Sequence, residues 1–156
     1  SPVTVRPRSP GTADAEGRTD CSFKGGPPGF VKVLSPRELA FPDYDGNGQF
    51  RSLGNLAVNP HAGLLFVDWT QPRRLRVNGH ATLGDAAHEL AWWPGAQLVV
   101  RIAVEQVFPN CPRYLPRLEV VERSPYVPDD GGRAPRPGWK DNPSFRDALP
   151  ERDRLP

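Results

Sequence analysis

Apolar and polar residues alternate along most of the middle of this chain, with a period of two rather than 3.6. The clearest case is 97–108, where Leu98, Val100, Ile102 and Val104 fall on one face of a long strand. GLLFVDW at 63–69 is an apolar, β-rich run. RRLRVNGHATL follows it and alternates long basic with apolar residues, so 63–69 and 74–83 read as a hairpin around the turn at 70–73. A second hairpin, 30–34 with 38–42, turns at Ser35-Pro36-Arg37. Residues 18–24 are a candidate strand ahead of the turn GGPPG, and 118–123 a possible last one. Two short helices interrupt the meander. One covers 52–58 and is stopped by Asn59-Pro60; the other covers 85–93, with Asp85 near its cap and Pro94-Gly95 ending it. Five to seven strands separated by regular turns predict a mainly β, antiparallel barrel rather than a parallel sheet.

The ends break this pattern. Residues 1–17 read as irregular, because Pro2, Pro7 and Pro10 would block a central strand. Either a first strand is lost, or the segment forms an edge, or the chain start is altered. Residues 124–156 are rich in Pro, Arg and Asp and read as a largely disordered or draped tail, with Trp139 and Phe145 as its only large apolar anchors. The expected division is therefore an irregular segment 1–17, a barrel domain 18–123 and a Pro-rich tail 124–156.

Composition narrows the function. At 156 residues and 37% hydrophobic, the chain can build one core but hardly two. Its 20 basic and 18 acidic residues give a net charge of +2, which makes no case for a nucleic-acid surface. No apolar run approaches the ~20 residues of a membrane helix, and SPVTVRPRSPG is not a signal peptide. No Met occurs, so a processed or trimmed chain is expected. Cys21 and Cys111 could pair, but two free thiols in a reducing cytoplasm are the preferred reading.

The chemistry concentrates in the loop DGNGQFRS, which delivers Arg51 and Ser52 to the start of the first helix. Helix N-termini expose N–H groups and favour anions, so this is a good place for a phosphate. Arg51 adds a charged fork and Ser52 a hydroxyl. Asp43 and Asp45 are expected to shape the turn. His61, His80 and His88 fall in a turn, a strand and a helix without metal-ligand spacing, and neither cysteine sits in a CxxC pair, so no metal site is expected. No nucleophile-elbow motif or catalytic-triad order is present.

FRSLGNLAVNP, HAGLLFVDW and TQPRRLRVNGHATL together resemble the core of the pyridoxamine 5'-phosphate oxidase-like, FMN-binding split-barrel superfamily. CSFKGGPPGF, DYDGNGQFRSLGN and VFPNCPRY are similar to a bacterial subgroup of predicted flavin-nucleotide-binding proteins. The resemblance covers about residues 12–117. It implies a six-stranded antiparallel split β-barrel that binds FMN as a homodimer. It places the phosphate at Arg51 and Ser52, with Lys24 as a second cation. Ser22 would face the flavin or its ribityl chain, Asn55 could bond the cofactor, and Arg74 would lie near the isoalloxazine. The loop Asn110-Cys111-Pro112-Arg113-Tyr114 could face a partner's flavin, or it could simply be a proline turn that closes the barrel.

The activity implied is an FMN-dependent oxidoreductase of unassigned substrate. A non-catalytic flavin-binding or storage protein, or a relative using deazaflavin or haem, are the alternatives. The substrate-binding C-terminal pattern of pyridoxamine phosphate oxidase itself is not evident.

Overall fold

The structure, a computed structural model, describes residues 7–154. Seven strands form one antiparallel sheet: β1 (Pro7–Ala13), β2 (Thr19–Cys21), β3 (Lys32–Ser35), β4 (Glu38–Tyr44), β5 (His61–Asp68), β6 (Arg73–Gly84) and β7 (Ala96–Asn110). Their order is β2-β1-β5-β6-β7-β4-β3. Curled around one core, this is the antiparallel split barrel that the alternating pattern and the resemblance imply, with seven strands rather than six. Helix α1 (Arg51–Val58) packs on β1, β2 and β6, and α2 (Ala87–Leu90) packs on β7.

Alternation decides what is buried. Ala62, Leu64 and Phe66 of β5 and Val77 and Ala81 of β6 point into the core. In β7 both Val99 and Val100 are enclosed as well as Ile102, since α2 covers the outer face there. Arg101 spans from β4 to α2, bonding Glu38 at 2.8 Å and the buried carboxylate of Glu89. The Glu38 contact holds its guanidinium above the ordinary arginine range. No helix of the described residues is long and apolar enough to cross a membrane.

Four expectations need correction. Residues 7–13 of the supposedly irregular start form β1, which lies between β2 and β5. Its prolines are tolerated because the β2 ladder covers only Gly11–Ala13; beyond it, Pro10 takes a single bond on that side, from the Ser22 N–H to its carbonyl at 3.3 Å, which needs no proline N–H. Residues 1–6, with Pro2, lie outside the described residues. The second helix shrinks to 87–90, capped by Ala86 rather than Asp85. Its last bonds tighten to i→i+3 as the chain turns Trp93 into the core. Residues 118–123 form no strand. The tail is draped rather than disordered through residue 154, as three short 3-10 turns at Gly138–Asp141, Pro143–Ala148 and Glu151–Asp153. Its enclosed residues are Lys140 and Leu149, whereas Trp139 and Phe145 stay exposed.

The β5–β6 turn carries a pH prediction. The Asp68 carboxylate accepts the Thr70 N–H at 3.0 Å, the Thr70 hydroxyl at 2.8 Å and the Gln71 N–H at 3.1 Å. The Gln71 bond, then the Thr70 hydroxyl, hold this carboxyl below its ordinary range. A depressed folded pKa contributes stability above the unfolded value and loses it as pH falls through the folded one. Asp68→Ala should therefore cost about 1 kcal/mol near neutrality. Denaturant midpoints of variant and parent should converge as pH drops below the carboxylate range.

Candidate functional site

The loop at 45–50 is built to turn sharply. Gly48 has φ +74° and Phe50 has φ +50°, the second costly for a residue with a side chain. Phe50 is 41% exposed, so core burial does not repay that strain. What the backbone gains is direction: Phe50 is the N-cap of α1, with no side chain bonded to the cap. The first bond of the helix runs from Gly54 N–H to Phe50 C=O at 2.7 Å. Ahead of it, the N–H groups of Arg51, Ser52 and Leu53 have no acceptor inside the helix.

These residues line one cavity of about 270 Å³, together with Asp20, Cys21, Ser22, Lys24, Asp43 and Tyr44. The Ser22 and Ser52 hydroxyls meet at 3.0 Å, and Ser52 is enclosed. Lys24 bonds Asp43 at 2.9 Å, and Arg51 lies 3.6 Å from Asp20. Burial raises the Tyr44 hydroxyl's pKa, which keeps it a neutral donor. Strand β2, the segment after it, the glycine loop and α1 thus converge two hydroxyls, two cations and a row of backbone donors on one space.

The sequence-derived residues divide accordingly. Ser22, Lys24, Arg51 and Ser52 come together in the cavity. Asn55 stands behind it: its amide donates to the enclosed Thr12 hydroxyl at 3.0 Å and ties α1 to β1. Arg74 is not brought there in one chain. It sits opposite Asn110 at the far end of β6 and donates to the Cys111 carbonyl, clamping the loop at 110–114. Cys21 and Cys111 are free and exposed.

Asp43 and Asp45 do more than shape a turn. Asp43 is the buried partner of Lys24, and Asp45 is paired to Lys140 at 2.6 Å. Sequence reasoning missed these partners, and no local signal marks Lys140, which lies 95 residues from Asp45. It also separated two histidines that are neighbours. His61 and His80 face each other across β5 and β6 with ring centroids 4.4 Å apart, and His80 Nδ1 lies 3.0 Å from Glu105.

A second, shallower groove of about 550 Å³ begins at the same Asp20 and Cys21. Gly11, Ala13, Ala62, Gly63 and Gly79 line it, so much of its wall is backbone, with His61, Asn78 and Glu105 also on it. Among the described residues, no group of three His, Cys, Asp or Glu side chains is placed to hold a metal ion.

Comparison with known proteins places this geometry. The family profile described as pyridoxamine 5'-phosphate oxidase matches residues 11–125. No curated protein matches the chain. Among solved structures, a HupZ variant from Group A Streptococcus aligns over 69% of this chain and 92% of its own, at 22% identity and TM-score 0.55. A putative pyridoxamine 5'-phosphate oxidase from Lactobacillus delbrueckii aligns over 66% and 84%, at 21% identity and TM-score 0.52. An F420 reductase aligns at 13% identity and TM-score 0.47, over 66% of this chain and 89% of its own, too distant to bear on the cofactor. With a profile match from β1 through the loop after β7, on a split barrel of the same topology class, the chain belongs to the pyridoxamine 5'-phosphate oxidase family, a flavin-binding family.

Proposed function

We propose that this protein binds FMN, holds its phosphate at the start of α1, and serves as an FMN-dependent oxidoreductase. The supporting observation is the convergence of Ser22, Lys24, Arg51, Ser52 and the unbonded N–H groups of α1 on a single cavity. A phosphate monoester needs several donors and charge-assisted contacts; the helix start, the two hydroxyls and the two cations supply these, with Asp20 and Asp43 beside the cations offset by them. The groove leading off past Asp20 and Cys21 suits the rest of a flavin. A wall of glycine and alanine lets a flat ring lie against backbone. When bound, the flavin supplies hydride or electron transfer, and the protein's own work is to anchor and orient it.

One chain leaves the groove open to water, so a second copy is proposed to cover it. Val33, Val107 and Tyr114 stand exposed on the barrel and its loops, which suits burial in a homodimer. In that dimer, Arg74 and the loop it clamps would reach the partner's ring rather than their own.

Purified protein should take up FMN and hold it through gel filtration. Sedimentation with and without FMN should show the dimer favoured by ligand, since the ligand binds only the assembled pocket. A monomer that binds FMN stoichiometrically, with no change in mass, would contradict the shared pocket. A deazaflavin or haem spectrum instead of a flavin one would overturn the cofactor assignment. Turnover of the bound flavin with a reductant separates an oxidoreductase from a storage protein.

A further inference from the structure

The C-terminal tail packs against the loop that forms one wall of the cavity. Residues 136–154 run as a strap against the glycine loop, and none of them lines the cavity, so they hold the loop from outside it. Lys140 is only 4% exposed. Its ammonium is shared between Asp45 at 2.6 Å and Asp153 at 2.9 Å. Asp45 opens the loop, and its other oxygen accepts from Gln97 of β7 at 3.4 Å. Arg152 of the strap bonds the same Gln97. Pro150 lies against Gly48, 3.5 Å from where a β-carbon there would be. The strap is knit to itself by Arg136, which bonds Asp141 at 2.8 Å and the Asp153 carbonyl at 2.7 Å.

Burying a lysine is costly unless its partners are well placed, and here they are one loop residue and one strap residue. The loop they fix is costly to order on its own. It holds Gly46 and Gly48, whose backbones lose the most freedom on ordering, and it ends on a strained Phe50. Asp45 would also stand as an uncompensated negative charge beside a bound anion. Lys140, shared with Asp153, offsets part of that charge, as Lys24 offsets Asp43 and Arg51 in part offsets Asp20.

We infer that Lys140 is a positioning residue: through Asp45 it holds the glycine loop in its anion-receiving shape and offsets part of the loop's own negative charge. The inference builds on the FMN reading, but half of its test needs no ligand. Hydrogen exchange of the amides at 46–50, measured on ligand-free protein, should be at least tenfold faster in Lys140→Met, with β6 and β7 unchanged. Asp45→Asn, at a half-exposed loop position, should reproduce this even if the Lys140 variant folds poorly. In flavin titrations Lys140→Met should lose roughly tenfold in FMN affinity and less than twofold in riboflavin affinity, with Lys140→Arg recovering part of the loss. Asp45→Asn, which removes the carboxylate itself, should lose FMN affinity in the same selective way but by less. Unchanged loop exchange in both variants would overturn the inference. Faster exchange with an unaltered ratio of FMN to riboflavin affinity would also overturn it, by reducing Lys140 to a structural tie. If the parent protein binds neither flavin, the FMN reading fails, and the exchange measurement still judges the strap.

Discussion

Replacing Arg51 by alanine should weaken FMN binding roughly ten- to hundredfold, because a charge-assisted contact to phosphate contributes about 1.5–3 kcal/mol. Riboflavin, which lacks the phosphate, should bind the variant almost as it binds the parent. Arg51 is suited to this test because the fold asks little of it. Its side chain is 69% exposed, and its nearest partner, Asp20, is 3.6 Å away. An exposed pair at that distance adds little to stability, so the variant should melt within about 0.5 kcal/mol of the parent. Lys24→Ala is the less clean experiment. It would strand the buried Asp43 carboxylate and lower stability and affinity together. Calorimetric titration of parent and variant with both flavins decides the matter, and equal losses for the two would remove the phosphate from Arg51.

Gly79→Ala should be the most destabilising single-methyl change in the barrel. A β-carbon there would sit 2.1 Å from the Ala103 carbonyl oxygen and 3.0 Å from Ile102 Cγ2. The first neighbour is backbone, so no side chain can swing aside. The register of β6 on β7 already shifts between Asn78 and Gly79, and the close approach of the strands at that irregularity requires the glycine. Relief means prising apart the long β6–β7 pair that encloses Ile102 and Val100. The expected cost is at or above the upper end of the 1–3 kcal/mol typical of overpacking, about 3 kcal/mol, or roughly 6–12 °C in Tm. Gly54→Ala is the matched control. It lies in α1 with nothing within 4 Å of the new methyl, so it should stabilise by about 0.5–1 kcal/mol. Thermal melts of the two variants should move in opposite directions, and a Gly79→Ala protein as stable as the parent would refute the close approach.

Much of the barrel could be read from sequence because its signals are local. The alternation in β6 and β7, the apolar run of β5, the Asn59-Pro60 stop and the glycine loop before Arg51 each act within a few residues. The first strand is hidden in the sequence because proline excludes a strand only where both of its edges are fully paired. Pro7 and Pro10 lie beyond the β2 ladder, where the one bond on that side, from Ser22 to the Pro10 carbonyl, asks for no proline N–H. The helix at 85–93 is shorter than its pattern predicts because Trp93 must leave the helix to enter the core.

Within the site, Arg51 and Ser52 are legible in the glycine loop and helix start, Ser22 and Lys24 only through the family resemblance, and the chain brings those four together. Asn55 and Arg74 show the limit of positional transfer. Each has polar partners of its own, Thr12 and the Cys111 carbonyl, that no spacing discloses. The strap shows the same limit at long range. A Pro- and Arg-rich tail reads as solvated until Asp45 and Asp153 appear on either side of Lys140.

The central claim is that the cavity at the start of α1 exists to hold a flavin's phosphate. Titrating the ligand-free parent protein with FMN and with riboflavin, side by side under one set of conditions, tests it most directly. The account predicts saturable binding of FMN at one site per chain, at least tenfold tighter than riboflavin, with inorganic phosphate competing against FMN but not against riboflavin. Equal affinity for the two flavins, or no effect of phosphate on FMN binding, would contradict it.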